Sequence, residues 1–242
     1  MVEPNPSVLS RRAAAFVVLG AAVGTWYVLA SHVGAVGLWP AVAIVAAGVM
    51  PGTLGLVFVV LPLARTRIAA LVLVTIVLAV VAFACSEEGW RLAANFAKLW
   101  AAVFAGWAFL HAFEKLAWVV LVAAIIPFVD AISVFSPQGP THEIVTHHIT
   151  IFTDVSVAFV APHHQAALLG PPDILFYALF LAAAARWQLR PGWTWIATTG
   201  MYSLTIVIEA AGNLSGLPAL PFLSFGFLAA NADLLWRRLR PR

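Results

Sequence analysis

Long apolar stretches alternate with short breaks of charged, proline or glycine residues along nearly the whole chain. An α-helix needs about 20 apolar residues to cross the hydrocarbon core of a membrane. The stretches that approach this length are residues 13–33, 39–63, 68–85, 92–112, 115–135, 165–186, 192–212 and 217–236. The pattern therefore predicts an all-α, polytopic membrane bundle of about eight transmembrane helices.

The composition excludes a water-soluble protein. Of the 242 residues, 63% are hydrophobic and 10% are charged, and the mean hydropathy is +0.98, whereas soluble domains carry about 25% charged residues. No polar block is long enough for a separate soluble domain, so residues 1–242 are predicted to form a single transmembrane domain. The first apolar run is longer than the core of a secretory signal, and we expect it to remain as a permanent span.

The positions of lysine and arginine predict the orientation in the membrane. With eight spans, two basic residues, Arg91 and Lys98, fall on one side. Eleven fall on the other: Arg11, Arg12, Arg65, Arg67, Lys115, Arg186, Arg190, Arg237, Arg238, Arg240 and Arg242. Because cytoplasmic loops carry the excess of Lys and Arg, both termini are predicted to be cytoplasmic, with the long 136–164 loop outside. The basic pI then reflects topology, and no nucleic-acid partner is predicted.

Three acidic residues lie within predicted spans, where a charge is costly to bury: Asp130 in the fifth, Asp173 near the start of the sixth and Glu209 late in the seventh. Asp130 and Asp173 are on consecutive predicted helices, and antiparallel packing would bring them to similar depth. Two carboxylates at close range share one proton, and such a pair can supply the base and the acid of a hydrolysis. A proton-coupled transporter uses buried acids equally well, so it stays an alternative. For Glu209 we expect an ordinary interhelical hydrogen bond.

Three motifs around these acids resemble those of a known protease family. Residues 129–135 (VDAISVF), followed by 137–140 (PQGP), resemble the first catalytic-aspartate segment of presenilins, in which a Tyr-Asp helix leads into a Gly-Pro turn. Residues 169–177 (LGPPDILFY) resemble the Gly-x-Gly-Asp motif with its aromatic pair, and 217–221 (LPALP) the Pro-Ala-Leu motif. The motifs follow the order of the presenilin and signal peptide peptidase family of intramembrane aspartyl proteases, in a form similar to its prokaryotic members.

This resemblance implies cleavage of peptide bonds within transmembrane helices, with Asp130 and Asp173 as the catalytic pair. It implies that four residues bind the substrate: Gly170, Pro218, Ala219 and Leu220. The catalytic half would be residues 115–236, preceded by four helices in residues 13–112. The implied partners are transmembrane-helix substrates and membrane lipid, and neither a metal nor an organic cofactor is implied.

The chain departs from the family pattern at three points. Pro172 stands where the family has the central glycine, Val129 where it has tyrosine, and eight apparent helices replace nine, as if the first were lost. Pro172 motivates a further alternative, a silent homologue that binds membrane helices without cutting them. With the carboxyl end inside, the orientation matches signal peptide peptidase, and the minimal length favours a prokaryotic plasma membrane.

The outer loop carries five of the seven histidines: His142, His147, His148, His163 and His164. A metal site and solvated side chains are the alternatives. His142 and His147 are five residues apart, whereas the zinc-binding helix motif needs four, so we expect solvated side chains and no metal. Residues 144–160 are rich in β-branched and aromatic residues and predict a β-hairpin that covers the aspartate pair. A substrate strand could pair with its edge.

Overall fold

The computed structural model describes residues 6–136, 139, 143, 149–163, 166–214 and 216–240, which are mostly helical. The amino-terminal helices are α1 (Pro6–Leu29), α2 (Leu38–Ile44), α3 (Met50–Val59), α4 (Ile68–Glu87), α5 (Arg91–Leu110) and α6 (Leu116–Phe135). A π-helical turn, Val45–Val49, joins α2 to α3, and a 3-10 turn, Leu61–Arg65, follows α3. The rest of the chain forms α7 (Ile149–Val155), β1 (Val157–Val160), β2 (Ala166–Leu169), α8 (Pro171–Arg186), α9 (Pro191–Gly212) and α10 (Leu220–Leu239).

Five helical segments among the described residues are long and apolar enough to cross a membrane. They are Ser10–Leu29, Leu38–Val59, Ile68–Glu87, Arg91–Leu110 and Leu116–Phe135. They coincide with the first five predicted spans, as expected of a multi-pass membrane protein. The last three predicted spans are not among them, so the structure supports the membrane bundle only in this coarser form.

The sixth predicted span, residues 165–186, is wrong as a continuous helix. Its first part is strand β2, and Gly170 is extended, with ψ of 156°. Pro171 and Pro172 then open α8, because proline lacks an N–H and suits the first helical turn, where the N–H groups have no partner within the helix. The resulting helix has 16 residues and is about 24 Å long.

Helix α8 lies at the centre of the bundle and packs against α5, α6, α9 and α10. Every side chain from Tyr177 to Ala184 is at most 2% exposed. Phe180 stacks on Phe227 of α10 at 4.8 Å between ring centroids. A helix that is apolar and buried on all faces is typical of the interior of a large core, so α8 is the element around which the others are arranged.

The β-hairpin in the connection between the two aspartate-bearing helices is confirmed, but at a different place. Strands β1 and β2 pair antiparallel, with Val157 opposite Leu169 and Val160 opposite Ala166. Residues 149–155 of the predicted hairpin are helical instead, and residues 144–148 lie outside the described residues. The second strand comes from the segment predicted to start the sixth span, since Ala166–Leu169 finds a partner in β1.

Side chains from α1 and α5 fix β1 by its outer edge. Asn95 of α5 donates to the carbonyl of Ala158 at 3.0 Å and accepts the N–H of Ala158 at 2.7 Å. The Tyr27 hydroxyl donates to the same carbonyl at 2.7 Å, and the Trp26 indole donates to that of Val160 at 2.9 Å. These bonds take the place of a third strand, so the hairpin is held to the bundle along one edge.

Asn95→Leu should lower the free energy of unfolding by about 1–3 kcal/mol, because it leaves the half-buried N–H of Ala158 without its partner. Hydrogen exchange should rise across Val157–Val160. Tyr27→Phe is the matched control: it removes a second donor to a carbonyl that Asn95 still serves, and its effect should be smaller. Equal effects of the two substitutions on exchange would contradict this account of how β1 is held.

Candidate active site

Asp130 lies near the carboxyl end of α6 and is half-buried. Its Oδ2 accepts the backbone N–H of Leu220 at 3.0 Å, across 90 residues of sequence. Leu220 is the first residue of α10, so its N–H has no partner within the helix. The contact thus satisfies a helix-end donor with a carboxylate, and it joins the first acidic motif directly to the Pro-Ala-Leu motif.

Asp173 is the third residue of α8, also half-buried. Its Oδ2 accepts the N–H of Gly170, the residue before the helix, at 3.0 Å. The Tyr202 hydroxyl of α9 donates to the backbone carbonyl of Asp173 at 2.7 Å. A carboxylate in the first turn is favoured by the helix dipole, so local sequence and tertiary contact together fix this turn.

The two acids come together where α6 and α8 are in contact. The carboxyl group of Asp173 is close enough to those of Asp130 and of Glu209 in α9 for their charges to interact. The three acids singled out from sequence therefore lie in one region, near the carboxyl end of α6 and the start of α8. Two neighbouring carboxyl groups in such a place can hold one proton between them and exchange it with a bound water.

The Pro-Ala-Leu segment is buried against this site. Pro218 is buried, Ala219 is 6% exposed and Leu220 is 4% exposed. Pro221 occupies the second position of α10 and has no N–H. Of this segment, the Leu220 N–H bonds to Asp130, and the substrate-binding role of Pro218, Ala219 and Leu220 stays a prediction.

Gly170 and Pro172 flank the second aspartate in different ways. A Cβ on Gly170 would lie 3.4 Å from Asp173 Oδ2, an ordinary contact, so the residue matters here through its N–H. Its predicted contact with substrate stays a prediction. Pro172 is exposed at the second position of α8. It removes an N–H that has no partner within the helix in any case, and the bond from Gly170 to Asp173 forms beside it.

Glu209 was expected to bond to a neighbouring helix, and this expectation is wrong. Its Oε1 accepts the N–H of Leu217, eight residues further along the chain, at 2.8 Å. Glu209 also lines a cavity of about 280 Å³ between α2, β2 and the end of α9. No local sequence pattern signals this contact, because it depends on how the chain turns after α9.

The larger cavity, of about 700 Å³, lies elsewhere, between α6 and the carboxyl end of α10. It is lined by Val120, Leu228, Ala232, Leu235, Trp236, Leu239 and Arg240. None of the three acids lines it.

Four of the loop histidines, His142, His147, His148 and His164, lie outside the described residues. Their predicted solvation stays a prediction. The backbone N–H of His163 donates to the carbonyl of Ala30 at 3.3 Å. Within the described ranges, no group of three or more His, Cys, Asp or Glu side chains is arranged to hold a metal ion.

No protein-family model matches this chain, and no curated protein is significantly similar to it. The fold and the site define a broad class: a mostly helical protein with a small two-stranded sheet and, among its described residues, five helices long and apolar enough to cross a membrane. Two interacting aspartates lie at its candidate site. The resemblance in the three motifs stays a prediction.

Proposed function

We propose that the protein is an intramembrane aspartyl endopeptidase of the presenilin and signal peptide peptidase type. The observation that carries the proposal is that Asp130 accepts the N–H of Leu220 and also interacts electrostatically with the second carboxyl group, that of Asp173. All three motifs that resemble the family thereby meet at one point, although they are up to 90 residues apart in sequence. Three short segments that resembled the family only by chance would have no reason to lie together in the fold.

The proposed chemistry is hydrolysis of a peptide bond by a water molecule between the two carboxyl groups. The ionised carboxylate takes a proton from the water while the water oxygen bonds to the scissile carbonyl carbon. At the same time the protonated carboxyl gives its proton to the carbonyl oxygen. The tetrahedral adduct then collapses. The C–N bond breaks as the carboxyl group that took the proton from water gives it to the amine nitrogen, and the other carboxylate takes a proton back from a hydroxyl of the adduct. A new carboxyl end and a new amino end remain, and both aspartates are back in their starting states.

The proposed membrane arrangement has eight segments, with α8, α9 and α10 completing the bundle and both termini cytoplasmic. Contacts at one end of the bundle support it. Arg186 at the end of α8 donates to the carbonyl of Leu110 at the end of α5 at 3.0 Å. Arg190 and Asp233 form a two-point ion pair at 2.7 and 2.8 Å. The basic residues assigned to the cytoplasm thus lie at ends of helices that contact one another.

The edge of β2 that faces away from β1 bonds to no other backbone group among the described residues, and it supports a role in holding an unwound substrate. Ala158 directs both its N–H and its C=O to Asn95, away from β2. Its partner Leu168 therefore belongs to a pair without ladder bonds, and its own N–H and C=O point away from β1. Such an edge accepts an added strand, and it stands five residues before Asp173. The proposed substrates are transmembrane helices that extend along this edge before cleavage.

Leu168→Pro should lower kcat/KM about tenfold, mainly through KM, because it removes one donor from this edge and about 1.4 kcal/mol of binding. The fold should be retained, since Leu168 N–H makes no ladder bond and proline is tolerated on a strand edge. Leu168→Ala keeps the N–H and is the matched control. Cleavage of the same model substrate at a series of concentrations measures both. Equal kinetics for the two variants would mean that substrate does not pair at this edge.

The test of the proposed function is cleavage of a model single-span helix by the purified protein in liposomes. New fragments should form without added metal or cofactor, and a hydroxyethylene-type transition-state mimic should suppress them. Substrates in both orientations, across roughly pH 5 to 8, guard against a wrong choice of helix. If none of these substrates is cut, the proposal is wrong.

A proton-coupled transporter is the second candidate, favoured by the third acid, Glu209, within electrostatic range of Asp173. The same liposomes distinguish the two. A transporter would move its solute only with an imposed pH gradient and would leave the model helix intact.

A further inference from the structure

Glu209 takes no part in the proposed hydrolysis, yet it fixes the chain that leads to the Pro-Ala-Leu segment. Its carboxylate accepts the N–H of Leu217 at 2.8 Å. Its backbone carbonyl accepts the N–H of Leu214 at 3.0 Å and that of Asn213, the left-handed residue (φ 49°) that ends α9. One residue therefore sets both the end of α9 and the backbone immediately before Pro218.

The segment held in this way carries the donor to Asp130. Leu217 and Leu220 are three residues apart, and Leu220 N–H donates to Asp130. Pro218 has a fixed φ and is buried together with Ala219, so little freedom remains between the two bonds. A shift at Leu217 would therefore move the Leu220 N–H.

The surroundings of Glu209 make this bond costly to lose. The cavity beside it is lined mainly by apolar side chains, among them Leu38, Val42 and Ile206. Among the described lysines and arginines, none forms an ion pair with Glu209 within 4.0 Å.

We propose that Glu209 is a positioning residue, which holds Pro218–Leu220 against Asp130 through the N–H of Leu217. Its effect on catalysis rests on the proposed function, whereas its effect on the backbone does not. What matters in this role is a hydrogen-bond acceptor at Oε1 more than a negative charge.

The experiment compares Glu209→Gln, which keeps the acceptor, with Glu209→Leu, which keeps the bulk and removes it. Two readouts are taken: cleavage kinetics, and hydrogen exchange resolved to the amides of Leu217 and Leu220. We expect E209L to lower kcat about tenfold, the loss that follows from one hydrogen bond of about 1.4 kcal/mol, with KM changed less than about threefold. Exchange at both amides should rise at least about tenfold. E209Q should stay within about threefold of the wild type in both readouts.

Unchanged exchange at Leu220 in E209L would overturn the proposal, as would E209Q behaving like E209L. In the wild-type protein, an amide of Leu217 that exchanges as fast as an unprotected amide would also overturn it, whether or not E209L folds. If the wild type cuts no substrate, the proposed function fails, and exchange alone decides whether Glu209 holds the segment. Glu87→Gln, an exposed acid at the end of α4, should change neither readout.

Discussion

Asp130→Asn and Asp173→Asn should each lower the rate of cleavage of a model transmembrane substrate by at least about 10³-fold. In the proposed reaction the two carboxyl groups act as one unit, since one must be ionised while the other carries the proton, and residues that act as a unit fail together. Asparagine has nearly the same shape, and its amide oxygen can accept the same N–H. The bond from Leu220 to residue 130 and that from Gly170 to residue 173 can therefore persist, and the fold should be retained.

The control is Asp233→Asn, the same chemical change at the exposed ion pair with Arg190. A surface pair contributes about 0–1 kcal/mol, so its cleavage rate should stay within about twofold of the wild type. Thermal unfolding of all three variants checks that they fold. Full activity in either of the first two would rule out the aspartate pair as the catalytic unit. The double variant should be no slower than the single ones, which separates a joint role from two independent ones.

Gly106→Ala should be the most destabilising of the small substitutions in the bundle, by about 1–3 kcal/mol. A Cβ at Gly106 would overlap the backbone carbonyl of Leu175 and come within 3.1 Å of the Cβ of Ala178. Because the first obstacle is backbone, no side-chain rotation can relieve it. Helices α5 and α8 would have to separate, and α8 bears Asp173 at its start.

Gly200→Ala is the matched control, since Gly200 is also helical but a Cβ there would meet nothing within 4 Å. Alanine has the higher helix propensity, by about 1 kcal/mol, so this variant should be as stable as the wild type or more so. Thermal unfolding in detergent measures both. If the two substitutions shift the midpoint equally, close approach of α5 and α8 is not what the glycine provides.

The apolar pattern predicted those helices that can be recognised from the length of an apolar run alone. The first five spans were foreseen because about 20 apolar residues in a row have few other solutions in a membrane. The segment from Ala166 to Leu169 was not, because its alanines and leucines favour a helix. Its strand exists through pairing with β1, which Asn95 holds from 63 residues away, and no local pattern records that.

The candidate site, too, was predictable from the sequence in part. The cost of burying a carboxylate in a membrane drew attention to Asp130 and Asp173, and antiparallel packing predicted similar depth. Their backbone donors could not be predicted, since Leu220 N–H reaches Asp130 through a buried turn. Glu209 was assigned the wrong partner for a related reason: a side chain near a helix end can bond to the chain that follows, and the left-handed Asn213 decides where that chain goes.

The burial of α8 on all sides has a consequence for biogenesis. As the chain emerges from the ribosome, α5 is already present when α8 is made, but α9 and α10 are not. Helix α8 is also about 24 Å long, which is shorter than the roughly 30 Å hydrocarbon layer. Strand β2, which precedes it, has backbone N–H and C=O groups that lipid cannot satisfy. In the proposed arrangement of eight membrane segments, we therefore expect α8 to insert stably only together with the last two helices. Chains truncated after Arg186 should then be recognised by quality-control proteases, and Asp130 and Asp173 would be set in place only once synthesis is complete.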